Sequence, residues 1–222
     1  MSFYDRLQKE TELQRLGFLS IPLIRRAIAE GANPATYVAF LTEAYHHVSH
    51  TFPLLALAAS RTKDEHYQDG LVEYMEEERG HEKWILDDIV FFGGNRDAVR
   101  NSQPAPATAA MIGYSYYAIE HINPYCLLGS VHVLEGMSVL LADKLADKLT
   151  ANWGKSDEKG FSYLRSHGSL DQSHVAFFRT LIDGITDPVV QKLIIESSRT
   201  FHYLYGGIFR EIDSREGLAH AA

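Results

Sequence analysis

In the run His167-Gly168-Ser169-Leu170-Asp171-Gln172-Ser173-His174, two imidazoles and a carboxylate recur at i, i+4 and i+7. Those side chains share a direction only if the segment is an α-helix, where about 3.6 residues complete a turn. Imidazole with carboxylate is the donor mix that suits Fe, Mn or Zn. The motif therefore demands a helix here and, if it is a metal site, a fold that brings matching donors to the same place.

Three other segments offer them. Glu78 and His81 stand at i, i+3, the Glu-x-x-His pattern of carboxylate metal sites in helical bundles. Glu73, Glu76 and Glu77 precede them, and either Glu73 or Glu77 is an alternative to Glu78. Glu135 lies three residues after His132 in the apolar run Val131-His132-Val133-Leu134-Glu135-Gly136-Met137, where an unpartnered carboxylate is costly to bury. His132 reads as a core histidine. Gly129 and Gly136 would let another helix or a ligand come close. In a fourth segment, Glu43 shares a helix side with His46, His47 and His50. These histidines exceed what a first ring of ligands needs, so some of them orient ligands instead. Glu43, Glu78, His81, Glu135, His167, Asp171 and His174 make seven candidate ligands. One catalytic zinc takes three, so the count favours two metal ions sharing carboxylates. Tyr74, Tyr114, Tyr116 and Tyr117 are candidates to line the cavity.

Helical punctuation dominates the chain, and strand alternation is hard to find. Helix is expected over 3–16 and over 22–29, the second closed by Gly31. The next run spans 33–61, capped by Asn33, started by Pro34 and kinked at Pro53. Another runs over 63–92 to Gly93-Gly94, with a loop at 95–106. Further helices are expected over 107–121, 124–153, 160–184 and 188–212, with a polar turn at 155–159. The expected architecture is one all-α domain of seven to nine helices. Its parts are N-terminal helices at 1–32, a ligand-bearing bundle at 33–213 and a frayed tail at 214–222.

The 222 residues suffice for one sizeable core. A net charge of −8 without a basic cluster argues against nucleic acid as a partner. The single cysteine, Cys126, excludes an intrachain disulfide and a cysteine-based zinc site. With no signal-like N-terminus and no apolar run of membrane-spanning length expected, a cytoplasmic location and no membrane span are the default.

At these residues the chain resembles the heme-oxygenase-like di-metal oxidases, iron-containing redox enzymes related to the TenA and PqqC proteins. The likeness covers residues 33–185. The separations of 54 residues from His81 to Glu135 and 32 from Glu135 to His167 are similar to the family's. The resemblance implies a heme-oxygenase-like bundle and a homodimer. It also implies a centre of two iron ions, or manganese, held by the seven residues named. Such a centre uses O2 as co-substrate to oxidise a small amino-acid-like or fatty-acid-like molecule. Catalysis would then rest on Glu78, His81, Glu135, His167, Asp171 and His174. Two related chemistries compete: a TenA-like thiamine-salvage hydrolase with a cysteine nucleophile, and a PqqC-like cofactor-free oxidase. A haem-degrading relative would use a histidine near the N-terminus, and none precedes His46. A helical metal- or ligand-binding protein is the alternative that is not an enzyme.

Overall fold

The computed structural model describes residues 1–153 and 159–221, the side chains of 167–174 and 218–221 excepted. Among the described residues there are twelve α-helices and no strand. In order they are α1 (Phe3–Glu10), α2 (Glu12–Leu19), α3 (Pro22–Glu30), α4 (Pro34–Val48), α5 (Thr51–Arg61) and α6 (Glu65–Glu77). Then come α7 (Glu82–Phe91), α8 (Arg96–Arg100), α9 (Pro106–Tyr117), α10 (Cys126–Trp153), α11 (Ser162–Asp183) and α12 (Pro188–Ala221). A π turn at Ala118–Ile122 closes α9.

Local chemistry explains most of the boundaries. Asn33 caps α4 by accepting from Thr36 N–H at 2.8 Å, with Pro34 in the first turn. Asp187 accepts from Val189 N–H at 2.8 Å where α12 begins. Two long helices expected from the sequence are each two. The 33–61 run breaks at Ser49-His50, where the Ser49 hydroxyl turns back onto Tyr45 O at 2.6 Å. Pro53 lies in the first turn of α5, where its missing N–H leaves no bond unmade, so it kinks nothing. The 63–92 run breaks at Gly80, whose φ of 97° is left-handed backbone that favours glycine. The expected loop at 95–106 contains α8, capped by Asn95, which accepts from Asp97 and Ala98 N–H at 2.9 and 3.0 Å. The last helix runs past the expected end near Ile212 to Ala221. Apart from Lys159, the expected polar turn lies outside the described residues.

Helix α10 is the central element and packs against α3, α5, α9, α11 and α12. Gly129 permits its approach to α12: a Cβ there would stand 2.6 Å from Ser198 N and 2.7 Å from Ser197 Cβ. Gly136 has nothing within 4 Å of such an atom. By length and composition α10 could cross a membrane, with a mean hydropathy of 1.4 over 18 residues, which corrects the expectation that no such run exists. Half of that window is buried in the bundle, as in the core helix of a globular domain. Tyr37, Phe92, Trp153 and Phe161 form an aromatic cluster where α10 and α11 meet α4 and α7, with Tyr37 edge-on to Phe92 at 5.5 Å.

One tether fixes the start of α11. Asp88 of α7, 1% exposed, accepts from Ser162 N–H at 3.0 Å, from the Ser162 hydroxyl and from Tyr163 N–H at 2.8 Å. A carboxylate at a helix N-terminus satisfies open N–H groups and meets the positive end of the dipole. Burial raises the Asp88 pKa while these bonds oppose that rise. Asp88→Ala is expected to cost about 2–4 kcal/mol, since it strands buried donors. Urea denaturation measures this, and a loss below about 0.5 kcal/mol would show that water replaces the carboxylate at little cost.

Candidate metal centre

A half-enclosed cavity of about 70 Å³ lies among α4, α5, α6, α10, α11 and α12. Its polar lining includes His47, Tyr74, Glu78, Glu135 and Ser138. Glu78 follows the last turn of α6, and the reversal at Gly80 brings His81 back towards it. His81 Nδ1 stands 3.1 Å from Glu78 Oε2. The pair therefore meets across a helix break, not along a continuous helix as the spacing predicts. His81 is 4% exposed, and its ring stacks on Trp84 at 4.2 Å. Glu73, Glu76 and Glu77 are exposed, whereas Glu78 is half-buried.

Tyr74 organises the carboxylates. Its hydroxyl donates to Glu135 Oε2 at 3.4 Å, and the residue is 1% exposed. Burial holds the Tyr74 pKa well above the usual value, reinforced by the charges of Glu135, Glu78 and Glu77. Val131 and Leu134 of α10, with Val48 and Leu55, supply the apolar walls. Carboxylates against such walls repel each other and are poorly hydrated, and a bound cation relieves both costs. Carboxylate and imidazole donors together fit iron.

Glu43 is not brought to this cavity. Its Oε2 accepts from Ala105 N–H at 3.0 Å and from the Thr108 hydroxyl at 2.6 Å, and its Oε1 lies 4.0 Å from Arg215 Nη1. It caps α9 and lines a separate groove between α4 and α12. Of the neighbouring histidines, His47 reaches the cavity, edge-on to Tyr205 at 5.9 Å. His46 bonds Ser102 Oγ at 2.9 Å, and His50 bonds the Tyr116 hydroxyl at 2.9 Å. Of the four tyrosines expected near the site, Tyr74 alone is in this lining: Tyr114 packs on Phe201, and Tyr117 is exposed.

The side chains of His167, Asp171 and His174 lie outside the described residues. Their helix, α11, places Tyr163 in the cavity wall and sets Phe177 edge-on to Tyr74 at 5.1 Å. Among the described residues, no three His, Cys, Asp or Glu side chains form a group able to hold a metal ion. Elsewhere, His132 is buried beside Thr11 and His202. Cys126 is buried in the core, where its thiol pKa is raised.

A sequence model of the family described as iron-containing redox enzymes matches residues 38–205. No curated protein matches the sequence. Among solved structures, a domain of unknown function with a heme oxygenase-like fold from Shewanella denitrificans is 22% identical, with a TM-score of 0.87, and the match covers 99% of this chain and 95% of that one. A TenA homologue from Pseudomonas syringae pv. tomato is 11% identical with a TM-score of 0.78, covering 96% and 93%. The heme oxygenase of Leptospira interrogans is 20% identical with a TM-score of 0.75, covering 95% and 100%. At such identities the structural likeness speaks for the fold alone. With the family match spanning most of the sequence, the chain belongs to the iron-containing redox enzyme family, as a single all-α domain with a heme oxygenase-like fold.

Proposed function

We propose that the protein is a non-haem di-iron oxidase or oxygenase acting on a small organic substrate. The observation that carries this reading is one cavity lined by Glu78, Glu135 and His47 beside the aliphatic Val48, Leu55, Val131 and Leu134, with His81 against Glu78 and the Tyr74 hydroxyl on Glu135. Glu78, His81 and Glu135 would hold iron from α6, the turn after it and α10. His167, Asp171 and His174 would complete the set from α11. At about 100° per residue, positions 167 and 174 share a helix face with 163, which lines the cavity, and 171 falls on its flank beside 178. His47 takes the place on α4 that the sequence gives to Glu43.

When bound, two ferrous ions would supply the electrons and the Lewis acidity for activating O2. The residues of the chain set the conditions. Stacking on Trp84 fixes the His81 ring plane, with Glu78 Oε2 3.1 Å from its Nδ1. Tyr74 keeps its proton at neutral pH and holds Glu135 Oε2 with it. The apolar walls exclude water from the reacting groups.

A thiol nucleophile of the thiamine-hydrolase kind is disfavoured, because burial raises the Cys126 pKa and keeps it a thiol. Anaerobic titration with Fe(II), followed by O2 uptake, tests the proposal. Wild type is expected to bind iron and consume O2; a protein that binds no ferrous iron sinks the reading, and iron binding without O2 uptake favours a metal-binding protein. Tyr74→Phe is expected to weaken iron binding about 10-fold, near the lower end for residues that orient ligands. Unchanged affinity would reduce Tyr74 to a packing residue.

A further inference from the structure

Glu43, which does not reach the metal cavity, lines a groove of about 310 Å³ between α4 and α12. The residue is 6% exposed, and its two oxygens differ. Oε2 takes the Ala105 N–H and the Thr108 hydroxyl. Oε1 accepts no hydrogen bond among the described residues, and the guanidinium it faces, Arg215 Nη1, stands off at 4.0 Å. That guanidinium is engaged elsewhere, with its Nη2 2.6 Å from Glu211 Oε1. Glu216, which lines the groove from α12, repeats the arrangement. The guanidinium it faces, Arg26, is 4.0 Å away and is bonded to Asp213 at 2.5 Å. Among the described residues Arg215 is the one cation in the lining, beside two carboxylates.

A largely buried carboxylate is costly unless its oxygens are paired, and half of the Glu43 carboxylate is not. The lining carries an excess of negative charge, so a positively charged ligand answers it. A bare divalent ion needs six or more oxygen ligands. The floor of the groove instead offers Ala35, Ala39 and Ile212, which suit carbon. Thr42 Oγ1, whose proton goes to Val38 O at 2.8 Å, adds a free acceptor lone pair to the same lining. We infer that this groove binds a small organic ammonium ion, its N–H groups on Glu43 and Glu216 and its aliphatic part against Ala35, Ala39 and Ile212. The site is separate from the metal cavity and needs no iron.

The test is titration of the isotope-labelled, metal-free protein with n-butylammonium chloride at fixed ionic strength, followed by amide NMR shifts. Butanol and butyrate are the controls. Butylammonium is expected to bind with a Kd on the order of 1 mM, with shifts centred on Ala35, Ala39 and Ile212, and neither control to match it. Glu43→Gln keeps an oxygen for Ala105 and Thr108 but takes the charge from the groove, and is expected to weaken binding at least about tenfold. Arg215→Ala removes the competing guanidinium and is expected to tighten binding about two- to fivefold. Glu135→Ala, in the metal cavity, should change nothing. Glu216→Gln alters a half-buried side chain and decides the matter if Glu43→Gln fails to fold. Equal affinity for butanol, or an affinity that the folded Glu43 and Glu216 variants leave unchanged, overturns the inference. So does weaker binding in Arg215→Ala, or binding abolished by Glu135→Ala.

Discussion

Glu135→Ala is expected to weaken ferrous-iron binding by at least about 100-fold, the upper end of what loss of a group that merely orients a ligand costs. O2 uptake should fall with it. The metal-free variant should meanwhile be as stable as wild type, or more so by about 1 kcal/mol, because removing a half-buried carboxylate from beside aliphatic walls relieves its partial desolvation. Glu135 sits on the apolar central helix with its Oε2 facing a phenol, and the charges of Glu78 and Glu77 act on that same phenol. A carboxylate kept there for iron is a cost in the empty protein and a benefit in the loaded one. A carboxylate kept for structure would behave in the opposite way. Anaerobic Fe(II) titration beside thermal denaturation of the metal-free protein separates the two. Unchanged iron affinity, or a melting temperature that drops while affinity holds, would remove Glu135 from the metal centre.

Sequence periodicity carried the fold class because the helix signals here are local. Asn33-Pro34 and Asp187-Pro188 start helices wherever they stand, and the start of α4 and of α12 followed from them. The break at Gly80 did not follow. One glycine between charged residues is compatible with a continuous helix, and only the packing of α7 against α4 and α11 makes a left-handed turn worthwhile there. That break changes how Glu78 meets His81, although the spacing that drew attention to them survives. Glu43 and His47 show a different limit. They are one turn apart on α4, so period alone gives them the same direction. The start of α9, with Ala105 N–H and the Thr108 hydroxyl, draws Glu43 to another neighbour, and that contact joins residues more than sixty positions apart in the chain. Nothing local to the sequence separates Tyr74 from Tyr114, Tyr116 and Tyr117, because its contact is with Glu135, which comes from a different helix.

Acid is expected to destabilise this fold through His132 before most carboxylates titrate. His132 is 5% exposed, and its pKa is lowered from 6.5 to about 3, first by burial and then by His202 and Arg15. Its Nε2 stands 3.3 Å from Thr11 Oγ1, whose own proton goes to Leu7 O at 2.7 Å, so the neutral ring with Nε2–H is the form that fits. His202, with ring centroids 6.2 Å apart, is also held below its usual pKa by burial, so neither ring favours a charge on the other. The unfolded chain binds a proton at residue 132 below about pH 6.5, and the folded one does so only near pH 3. The unfolded state therefore holds more protons across that window, and stability falls as pH falls through it. The shift corresponds to about 5 kcal/mol in full, of which about 3 kcal/mol is gone by about pH 4. His132→Leu removes the titrating group while keeping an apolar side chain. Its stability is expected to fall less than that of wild type between about pH 7 and pH 4, by about 3 kcal/mol, the common carboxylate contribution cancelling in the difference. Guanidinium denaturation of both proteins at the two pH values measures it. Parallel losses would mean that the folded state accommodates a charged imidazole at residue 132, against the burial and the neighbours described here.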